Sequence, residues 1–503
     1  MALLTKSKIQ TYIKCPKQLW LDIHHADLEV TDATQKSIMD QGTEFGVIAR
    51  TFYPGGELVD TLSTEDAVKK TQAIFDRFDA GEPRFPIYEA AFVRDDVTVR
   101  VDIMIPLEDG SWKIVEIKSG SVETKKGFKE NLLFDAAIQY FVVSSNRIYI
   151  SLVELGCPNK KFSYTELNNF NGLLQTFDVS EHVKDLIGLV IESIKATKEL
   201  IKNTQEPMEL ISSSKCGGCG YVNYCSKSSL LAEEQFIVPS WNLASSPLTE
   251  LVQAAMKQSR DLQHVADDVL TKPIHLQMKR IAKGEIPNYI DPKLVEHLNV
   301  QGWPRYFLDY EFLSPAIPVF LGTKPFERIP FQFSLHKWTS LDSPLTHIEF
   351  IADSKIDPRK QLIETLLTAF EETGPIFTWN GAKTEAPVTR QLISYVEDAA
   401  QIEKLNFIAQ RCQEDDLYPW FQDYFYTPGM VGWGVKQVSR NFLDIDPYKD
   451  LKVRNGMGAV EAYIEFLLMP NGPEKKDLGD WLKEYCKTDT LVLINIYRKI
   501  TDH

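Results

Sequence analysis

The most regular hydrophobic pattern in the chain lies between Val97 and Pro106. Apolar residues occupy every second position of this stretch, and Asp102 lies on the opposite face. A period of two is that of a β-strand, because successive side chains point to opposite faces of a sheet. The pattern therefore predicts a strand that is apolar on one face and carries an acid on the other.

A second strand is expected to pair with the first as a hairpin. The turn between them ends at Gly110, which suits the left-handed last position of a three-residue loop. This loop pairs position 106 with 112, 104 with 114 and 102 with 116. Asp102 and Glu116 are then directly opposite each other, and Lys118 shares the face of Glu116. A shift of one residue in the register would separate the two acids.

A second strand with paired acids is predicted at 305–313. It is apolar and aromatic except for Asp309 and Glu311, which project from one face because they are two residues apart. Near the C-terminus, Tyr485 and Asp489 are four residues apart in a helical context and therefore share a helix face. Buried carboxylates are costly unless a cation compensates their charge.

The remaining patterns predict an α/β protein with three regions. We predict a first α/β domain at 1–228, a mostly helical connector at 229–300 and a second α/β domain at 301–503. The length of 503 residues agrees with about three folding units of roughly 150 residues each. In the third region, strands are expected at 329–335, 347–351 and 375–379, and a helix at 358–372.

Composition narrows the class of protein. Hydrophobic residues make up 44% and charged residues 25%, the mix of an ordinary globular protein. No apolar run approaches the roughly 20 residues needed to cross a bilayer, and lysines interrupt the N-terminus where a signal peptide would be apolar. We therefore expect a cytoplasmic protein without a membrane partner. The net charge of −15 argues against a broad basic surface that coats nucleic acid.

The two pairs of acids suggest metal chemistry. Mg²⁺ and Mn²⁺ prefer oxygen ligands, and facing carboxylates repel each other without such an ion. A lysine beside them can position a water or neutralise a phosphate, as phosphodiester hydrolysis requires. The simpler alternatives are an exposed hairpin with an ion pair at Lys118, a strand end with incidental acids at Asp309, and a core aromatic at Tyr485.

The cysteines suggest a metal centre of another kind. There are seven, and three of them form the pattern C-x2-C-x5-C at Cys216, Cys219 and Cys225. Thiolates at such spacing can share a metal, and Cys15 is a candidate for the fourth ligand. Spacing alone leaves structural Zn²⁺ and an iron–sulfur cluster both open. Because an odd number of cysteines argues against a disulfide framework, we read the others as buried thiols.

The first domain resembles the RecB-like branch of the PD-(D/E)XK nucleases. Asp102 followed by Glu116-Ile-Lys118 is similar to their central motif, and Gln139 lies in a later helix where that branch carries a glutamine. The opening Thr5-Lys-Ser-Lys-Ile-Gln-Thr-Tyr-Ile-Lys-Cys-Pro16 resembles iron–sulfur RecB-type nucleases, including the AddB and CRISPR-associated groups. The resemblance implies a restriction-endonuclease-like fold and Mg²⁺ or Mn²⁺ held by the two acids.

The same resemblance implies a four-cysteine [4Fe–4S] cluster, with one cysteine before the nuclease core and three after it. Cys15, Cys216, Cys219 and Cys225 match these positions. One departure from the family lies in an early helix, where Gly46 stands in place of a metal-binding histidine. Glu44 is the candidate for an early-helix carboxylate in its stead.

The third region resembles the DnaQ-like DEDD exonucleases, which have an RNase H-like fold. Asp-x-Glu on a first strand and Tyr-x-x-x-Asp on a late helix are that family's motifs. The resemblance implies two Mg²⁺ or Mn²⁺ ions held by Asp309, Glu311 and Asp489, and a water oriented by Tyr485. For the remaining acid of the family pattern we choose Glu385, with Asp416 as the alternative.

These resemblances predict a metal-dependent DNA nuclease with two centres. We expect it to prefer single strands or ends and to act in DNA processing, repair or defence against foreign DNA. No helicase motif is visible, so a helicase or a repair or defence protein is a possible partner. The alternatives are a nucleic-acid-binding scaffold with one or both sites inactive, and an RNA exonuclease acting through the C-terminal domain.

Overall fold

The chain is an α/β protein that divides into two compact units, and this confirms the predicted fold class. The computed structural model describes residues 3–30, 33–61, 63–124, 127–207, 216, 219–221, 224–225, 266–270, 272–354, 356–371, 373–428, 430 and 432–501, with side chains at all but 33–41 and 269. The first unit comprises Met1–Ile211, Gly218–Val222 and Pro315–Glu327, and the second comprises Ser212–Gly217, Asn223–Ser314 and Arg328–His503.

The two units divide the chain differently from the three predicted regions. The predicted connector at 229–300 belongs to the second unit, and its residues 229–265 lie outside the described part of the chain. The segment Pro315–Glu327 belongs to the first unit although both of its neighbours in sequence belong to the second. Its Ile317 is buried in a cluster with Phe45 and Phe162.

The first unit is built on one twisted sheet with helices packed against it. In the described residues its strand order is β2-β3-β4-β5-β8-β9, and β1 pairs with β4. The strands are β1 (Leu4–Thr5), β2 (Glu57–Leu58), β3 (Ile87–Arg94), β4 (Val97–Pro106), β5 (Trp112–Ile117), β8 (Ile150–Pro158) and β9 (Leu174–Asp178), with a separate pair β6 (Glu123–Thr124) and β7 (Gly127–Phe128). The helices are α1 (Lys6–Lys14), α2 (Pro16–His24), α3 (Ala33–Thr51), α4 (Thr64–Asp79), α5 (Glu130–Ser144), α6 (Ser180–Asp185) and α7 (Ile187–Lys202), with a 3₁₀ turn at Ala26–Leu28.

The predicted hairpin is present in the predicted register. Pro106 pairs with Trp112 and Met104 with Ile114 across β4 and β5. Gly110 has a φ of 82°, the left-handed conformation that the loop requires. The register follows from this short loop, because its length and the position of its glycine fix which residues face each other.

Helix α5 brings polar side chains to the sheet because its packing face is made of small and apolar residues. Ala136, Ala137 and Ile138 are fully buried, so the helix approaches the sheet closely. Asp135 and Gln139 are one turn apart and lie on the same face. Both are buried, and this places two polar groups inside the first unit.

The second unit has a sheet of four strands in the order β13-β12-β11-β14. Strands β11, β12 and β13 are antiparallel neighbours, and β14 is parallel to β11. The described strands are β10 (Tyr289–Ile290), β11 (Arg305–Leu313), β12 (Ile329–Trp338), β13 (Thr346–Ile351), β14 (Ile376–Phe377) and β15 (Phe425–Tyr426). The strands expected at 329–335, 347–351 and 375–379 correspond to β12, β13 and β14.

Helices precede and follow the strands of this sheet along the chain. They are α8 (Pro273–Ala282), α9 (Pro292–Asn299), α10 (Arg359–Ala369), α11 (Glu385–Leu392), α12 (Ala399–Glu414), α13 (Leu417–Tyr424), α14 (Val435–Val438), α15 (Gly456–Leu468) and α16 (Pro473–Thr501), with 3₁₀ turns at Asp267–Val269 and Ile393–Tyr395 and a π-turn at Ser439–Leu443. The helix predicted at 358–372 is α10. Within the described part of the chain, every helix is too short or too polar to span a lipid bilayer.

Candidate functional site

The strongest candidate site in the second unit lies under helix α16, on one face of the sheet. Asp309 and Glu311 face this helix from the central strand β11, opposite Ser334 and Gln332 of β12. The Gln332 side chain donates a hydrogen bond of 2.9 Å to the Leu482 carbonyl of α16, which fixes the helix over this face. A register shift follows directly after Glu311, and such bulges commonly re-aim side chains at functional sites.

Three carboxylates converge at this point. Ligand oxygens of Asp309, Glu311 and Asp489 all lie within 4.8 Å of one another. Glu311 is 8% exposed and Asp489 is 9% exposed, so water screens their charges poorly. The acidic motif on β11 and the motif on α16 therefore form one site. The sheet and α16 bring the two ends of the second unit together.

The negative charge of the cluster is compensated only in part, by the nearby Lys436. Among the described residues, no lysine, arginine or histidine forms an ion pair with Asp309, Glu311 or Asp489. Burial and the neighbouring carboxylates raise the pKa of Asp309 and of Glu311 far above their ordinary values. Burial raises the pKa of Asp489 to about 6. Protons or a bound cation must supply the missing positive charge.

Two tyrosines and a lysine surround Asp489. The Tyr448 hydroxyl donates a hydrogen bond of 2.5 Å to Asp489 Oδ1, and Tyr485 also hydrogen-bonds this carboxylate. Lys436 Nζ is 3.5 Å from the Tyr485 hydroxyl and 4.5 Å from the centre of the Tyr448 ring. Burial lowers the pKa of Lys436, although the charges of Asp489 and Glu311 oppose this shift. The sequence did not predict that Tyr448 and Lys436 belong to the site, because no short motif connects them to the predicted acids.

Glu385 lies near the cluster, and Asp416 has another task. Glu385 opens α11 and is buried, and its charge contributes to the raised pKa of Asp309. Burial raises the pKa of Glu385 itself to about 7. The carboxylate of Asp416 accepts hydrogen bonds from the backbone N–H groups of Asn380 at 2.7 Å and Tyr418 at 3.0 Å. It therefore holds the loop after β14 and caps α13.

A tight turn connects β14 to α11. Asn380 has a left-handed backbone with φ of 68°. A Cβ atom at Gly381 would lie 1.9 Å from the Thr378 hydroxyl, so the turn requires glycine there. Glu385 lies outside the group of carboxylates whose oxygens are within 4.8 Å.

The first unit contains the other predicted site, at the open end of the hairpin. The Ile117 N–H donates a hydrogen bond of 2.6 Å to Asp102 Oδ2, so Asp102 lies beside Glu116 at the end of the ladder. Burial, followed by the charge of Glu116, raises the pKa of Asp102 well above its ordinary value. The structure therefore brings these two acids together.

Glu116 is surrounded by donors from three parts of the chain. Lys118 Nζ donates to Glu116 Oε1 at 2.6 Å and to Asp135 Oδ2 at 2.5 Å. Lys6 Nζ donates to the same Glu116 Oε1 at 3.0 Å. It also lies 2.8 Å from Asp135 Oδ1, close enough for an ion pair although not aligned as a hydrogen bond. The Gln139 amide donates to Glu116 Oε2, so both oxygens of this carboxylate are engaged.

The two lysines lower the pKa of Glu116, whereas burial of an acid ordinarily raises its pKa. Glu116 is only 1% exposed, and burial alone would raise its pKa. The charges of Lys6 and Lys118 outweigh burial and hold the pKa of Glu116 well below its ordinary value. The pKa values of both lysines are raised despite burial, because Glu116 and Asp135 stabilise their charged forms.

Other predicted and unpredicted residues border the first site. Glu44 of α3 is exposed, and no hydrogen bond or ion pair connects it to Asp102 or Glu116 in the described structure. Nothing lies within 4 Å of a Cβ atom built at Gly46, so there is room for a side chain at that position. Glu89, across from Asp102 on β3, has a left-handed backbone with φ of 58° and pairs with Arg50 at 2.7 Å.

Lys6 and Asp135 are the functional candidates that sequence reasoning missed in the first unit. Lys6 lies in the opening stretch that resembles the iron–sulfur nucleases, and Asp135 lies one turn before Gln139. The helical spacing of Asp135 and Gln139 was a usable signal, since residues four apart share a face. Lys6 gave no such signal, because it reaches the site through the pairing of Leu4 with Val97.

The structure describes the four predicted cysteine ligands, but most of the chain around Cys216, Cys219 and Cys225 lies outside the described residues. Cys15 lies between α1 and α2, and its sulfur accepts a hydrogen bond of 3.4 Å from the Gln18 N–H. The segment around Cys219 contacts the chain beyond the 3₁₀ turn that follows α2, because the Val30 N–H donates to the Gly220 carbonyl at 3.0 Å. Cys216 and Cys225 fall in stretches of the chain that belong to the second unit. All four are half-buried, and the shared metal centre stays a prediction.

Comparison with known proteins adds one sequence match. Residues 306–433 match a family described as a domain of unknown function (DUF2779). This stretch includes Asp309 and Glu311 and ends before Asp489. No curated protein matches the chain. Among solved structures, the chain is similar to one titled "Crystal structure of SSO0001", at 11% identity and a TM-score of 0.23, over 45% of this chain and 86% of that chain. A likeness at this TM-score carries no argument.

Proposed function

We propose that this protein is a metal-dependent phosphodiester hydrolase whose principal centre is the cluster of Asp309, Glu311 and Asp489. The observation that carries the proposal is the convergence of three buried carboxylates within 4.8 Å without an ion pair to any basic side chain of the described chain. Hard divalent cations such as Mg²⁺ and Mn²⁺ prefer such oxygen ligands. A bound cation would supply Lewis-acid stabilisation of the charge on a phosphate.

The surrounding side chains have distinct tasks in this proposal. Asp309, Glu311 and Asp489 would hold the cation, and Tyr448 would keep the Asp489 carboxylate oriented through its hydrogen bond. Burial raises the pKa of Tyr485 far above its ordinary value, so its hydroxyl stays protonated, donates to Asp489 and can accept a hydrogen bond from a water. We place Glu385 next to the cluster as a further acid, with a pKa of about 7.

We propose DNA as the substrate, with single strands or ends preferred, in DNA processing, repair or defence against foreign DNA. Support comes from the sequence resemblance to DEDD exonucleases and from the sheet order β13-β12-β11-β14, in which the paired acids occupy the central strand. RNA is the competing substrate. The proposal includes a helicase or another repair or defence protein as a partner and a cytoplasmic location.

We propose the first site as a second nucleic-acid site. Asp102, Glu116, Lys118 and Gln139 lie together there, as the RecB-like resemblance requires. The ion pairs around Glu116 favour an alternative in which this unit binds nucleic acid without cleaving it. Lys6 and Lys118 already pair with Glu116, one of the two acids that a cation would need.

We also propose that Cys15, Cys216, Cys219 and Cys225 hold a [4Fe–4S] cluster. The measurement is metal analysis and visible absorbance of protein purified without oxygen. We expect about four iron atoms per chain and a brown protein, because a four-cysteine cluster of this type contains four irons. Cys157→Ser is the matched control, since this buried thiol lies outside the pattern and should leave the iron content unchanged. One zinc and no iron per chain would contradict the proposal.

Hydrolysis is tested with labelled single-stranded DNA, double-stranded DNA and RNA, each with Mn²⁺ or with EDTA. We expect Mn²⁺-dependent cleavage that Asp309→Asn lowers by about 10³-fold, since losing a metal centre removes several kcal/mol of transition-state stabilisation. Asp342→Asn is the control, because it changes an exposed carboxylate of the same unit. Cleavage that survives Asp309→Asn but is lost in Glu116→Gln would move the activity to the first site. Binding without cleavage would refute the hydrolase.

A further inference from the structure

The first site contains one lysine more than its sequence motif predicts. Lys118 belongs to the motif, whereas Lys6 comes from the other end of the unit, 110 residues away from Glu116 in sequence. Lys6 Nζ and Lys118 Nζ contact the same oxygen, Glu116 Oε1, at 3.0 and 2.6 Å. The two ammonium groups also share the carboxylate of Asp135.

The position of Lys6 is fixed by its backbone. β1 pairs with β4 through Leu4 and Val97, and α1 begins at the next residues. The Thr5 hydroxyl caps this helix by accepting a hydrogen bond of 3.4 Å from the Lys8 N–H. Lys6 is therefore the first residue of a capped helix that follows a paired strand. Its side chain is only 19% exposed, so the lysine is held inside the site rather than free in water.

Three donors occupy most of the acceptor capacity of the Glu116 carboxylate, whose two oxygens offer about four lone-pair positions. Lys6 and Lys118 engage Oε1, and the Gln139 amide engages Oε2. A divalent cation at Glu116 would compete with donors on both oxygens and would lie close to the two positive charges of Lys6 and Lys118. The resemblance implies a cation between Asp102 and Glu116, and the arrangement of these donors does not fit one.

We propose that Lys6 is the built-in counter-charge of the first site, and that it keeps divalent cations away from Glu116. Its ammonium group takes the electrostatic place of the cation that the family resemblance implies. Lys6 is a positioning residue in this proposal, since it acts by occupying Glu116. The proposal concerns cation binding at the first site and does not depend on hydrolysis at the second.

The test is a Mn²⁺ titration followed by electron paramagnetic resonance of the free ion. The parent protein is the full chain with Asp309→Asn, which weakens binding at the second cluster. We expect Lys6→Met in this parent to create tighter Mn²⁺ binding at the first site. One Mn²⁺ should bind there at least tenfold more tightly than it does in the parent. Lys6→Arg keeps the charge and should bind as weakly as the parent. Lys8→Met is the matched control from the same helix and should also leave the affinity unchanged.

Adding Glu116→Gln to the Lys6→Met protein should abolish the additional binding, which assigns it to the first site. Equal Mn²⁺ affinity of the Lys6→Met protein and its parent would overturn the proposal. If Lys6→Met does not fold, the double change Lys6→Met with Asp135→Asn removes one charge of each sign. This protein should bind Mn²⁺ at least tenfold more tightly than Asp135→Asn alone, and equal affinities would again overturn the proposal.

Discussion

The two acidic sites solve the same electrostatic problem in opposite ways. In the first unit, Lys6 and Lys118 neutralise Glu116 and hold its pKa low. In the second unit, Asp309 and Asp489 have raised pKa values, and neither forms an ion pair with a basic residue of the described chain. A buried acid in a sequence motif therefore does not by itself predict a metal. The charges that tertiary structure brings to it decide whether a cation is needed.

The largest difference between the two sites is expected when one acid in each of them is neutralised. Glu116→Gln should destabilise the first unit by about 3–5 kcal/mol, because it leaves a buried pair of lysines short of its partner. Asp309→Asn should instead stabilise the second unit in the absence of metal, because it removes repulsion between buried carboxylates. Amide hydrogen exchange at β5 and β11 under increasing denaturant would measure the two units separately.

Both substitutions replace a carboxylate by an amide of nearly equal size, so each controls for the change of shape in the other. The comparison predicts shifts of opposite sign. Two shifts in the same direction would mean that the second cluster is compensated by groups other than a metal.

The dependence of stability on pH should also differ between the units. The pKa of Asp489 is about 6 and that of Glu385 about 7, both above their ordinary values. The folded second unit then binds protons more tightly than the unfolded chain, so its stability falls as the pH rises from about 4 to about 7. One pKa unit corresponds to about 1.4 kcal/mol, and the loss from Asp489 alone is up to about 3 kcal/mol.

Thermal unfolding at several pH values, with and without Mn²⁺, measures this effect. Mn²⁺ should reduce the loss at neutral pH because it replaces the protons. The first unit should differ below about pH 4, where the lowered pKa of Glu116 makes its stability fall as the pH is lowered, whereas the raised pKa values of Asp102 and Asp135 act above about pH 4 in the same direction as those of the second unit. A second unit whose stability rises between pH 4 and pH 7 would contradict the assigned shifts.

A smaller change in stability is expected from removing the hydrogen bond between Tyr448 and Asp489. Tyr448→Phe removes the hydroxyl that donates to this carboxylate, and we expect a loss of about 1.5–3 kcal/mol, the range for hydrogen bonds to charged groups. Tyr463→Phe is the matched control in the same unit, because the buried Tyr463 hydroxyl has no hydrogen-bond partner among the residues that the structure describes. Chemical denaturation of both variants measures the difference. Equal losses would show that the hydrogen bond to Asp489 contributes nothing to stability.

Local patterns predicted the elements and the hairpin well, for physical reasons. The alternation between Val97 and Pro106 and the glycine in the following loop fix both the strands and their register. The acids on β11 and on α16 each lie in a short periodic motif, and the resemblance to the DEDD exonucleases predicted that the two motifs form one site. In both cases the information lies within a few residues of sequence, where strand and helix geometry determine which side chains share a face.

The parts that sequence reasoning missed depend on contacts between distant segments. Lys6 meets Glu116 through a strand pairing, and Tyr448 meets Asp489 through a loop that carries no recognisable pattern. The membership of Pro315–Glu327 in the first unit likewise depends on packing, as at Ile317. No periodicity encodes such contacts, so a sequence motif gives the acids of a site without the charges around them.

Anomalous diffraction from crystals of the full chain grown with Mn²⁺ would test directly whether the cation binds at the second cluster and is kept from Glu116. We predict a manganese peak within bonding distance of Asp309, Glu311 and Asp489, and no peak at Glu116 while Lys6 is present. A peak between Asp102 and Glu116, with none at the second cluster, would contradict the account.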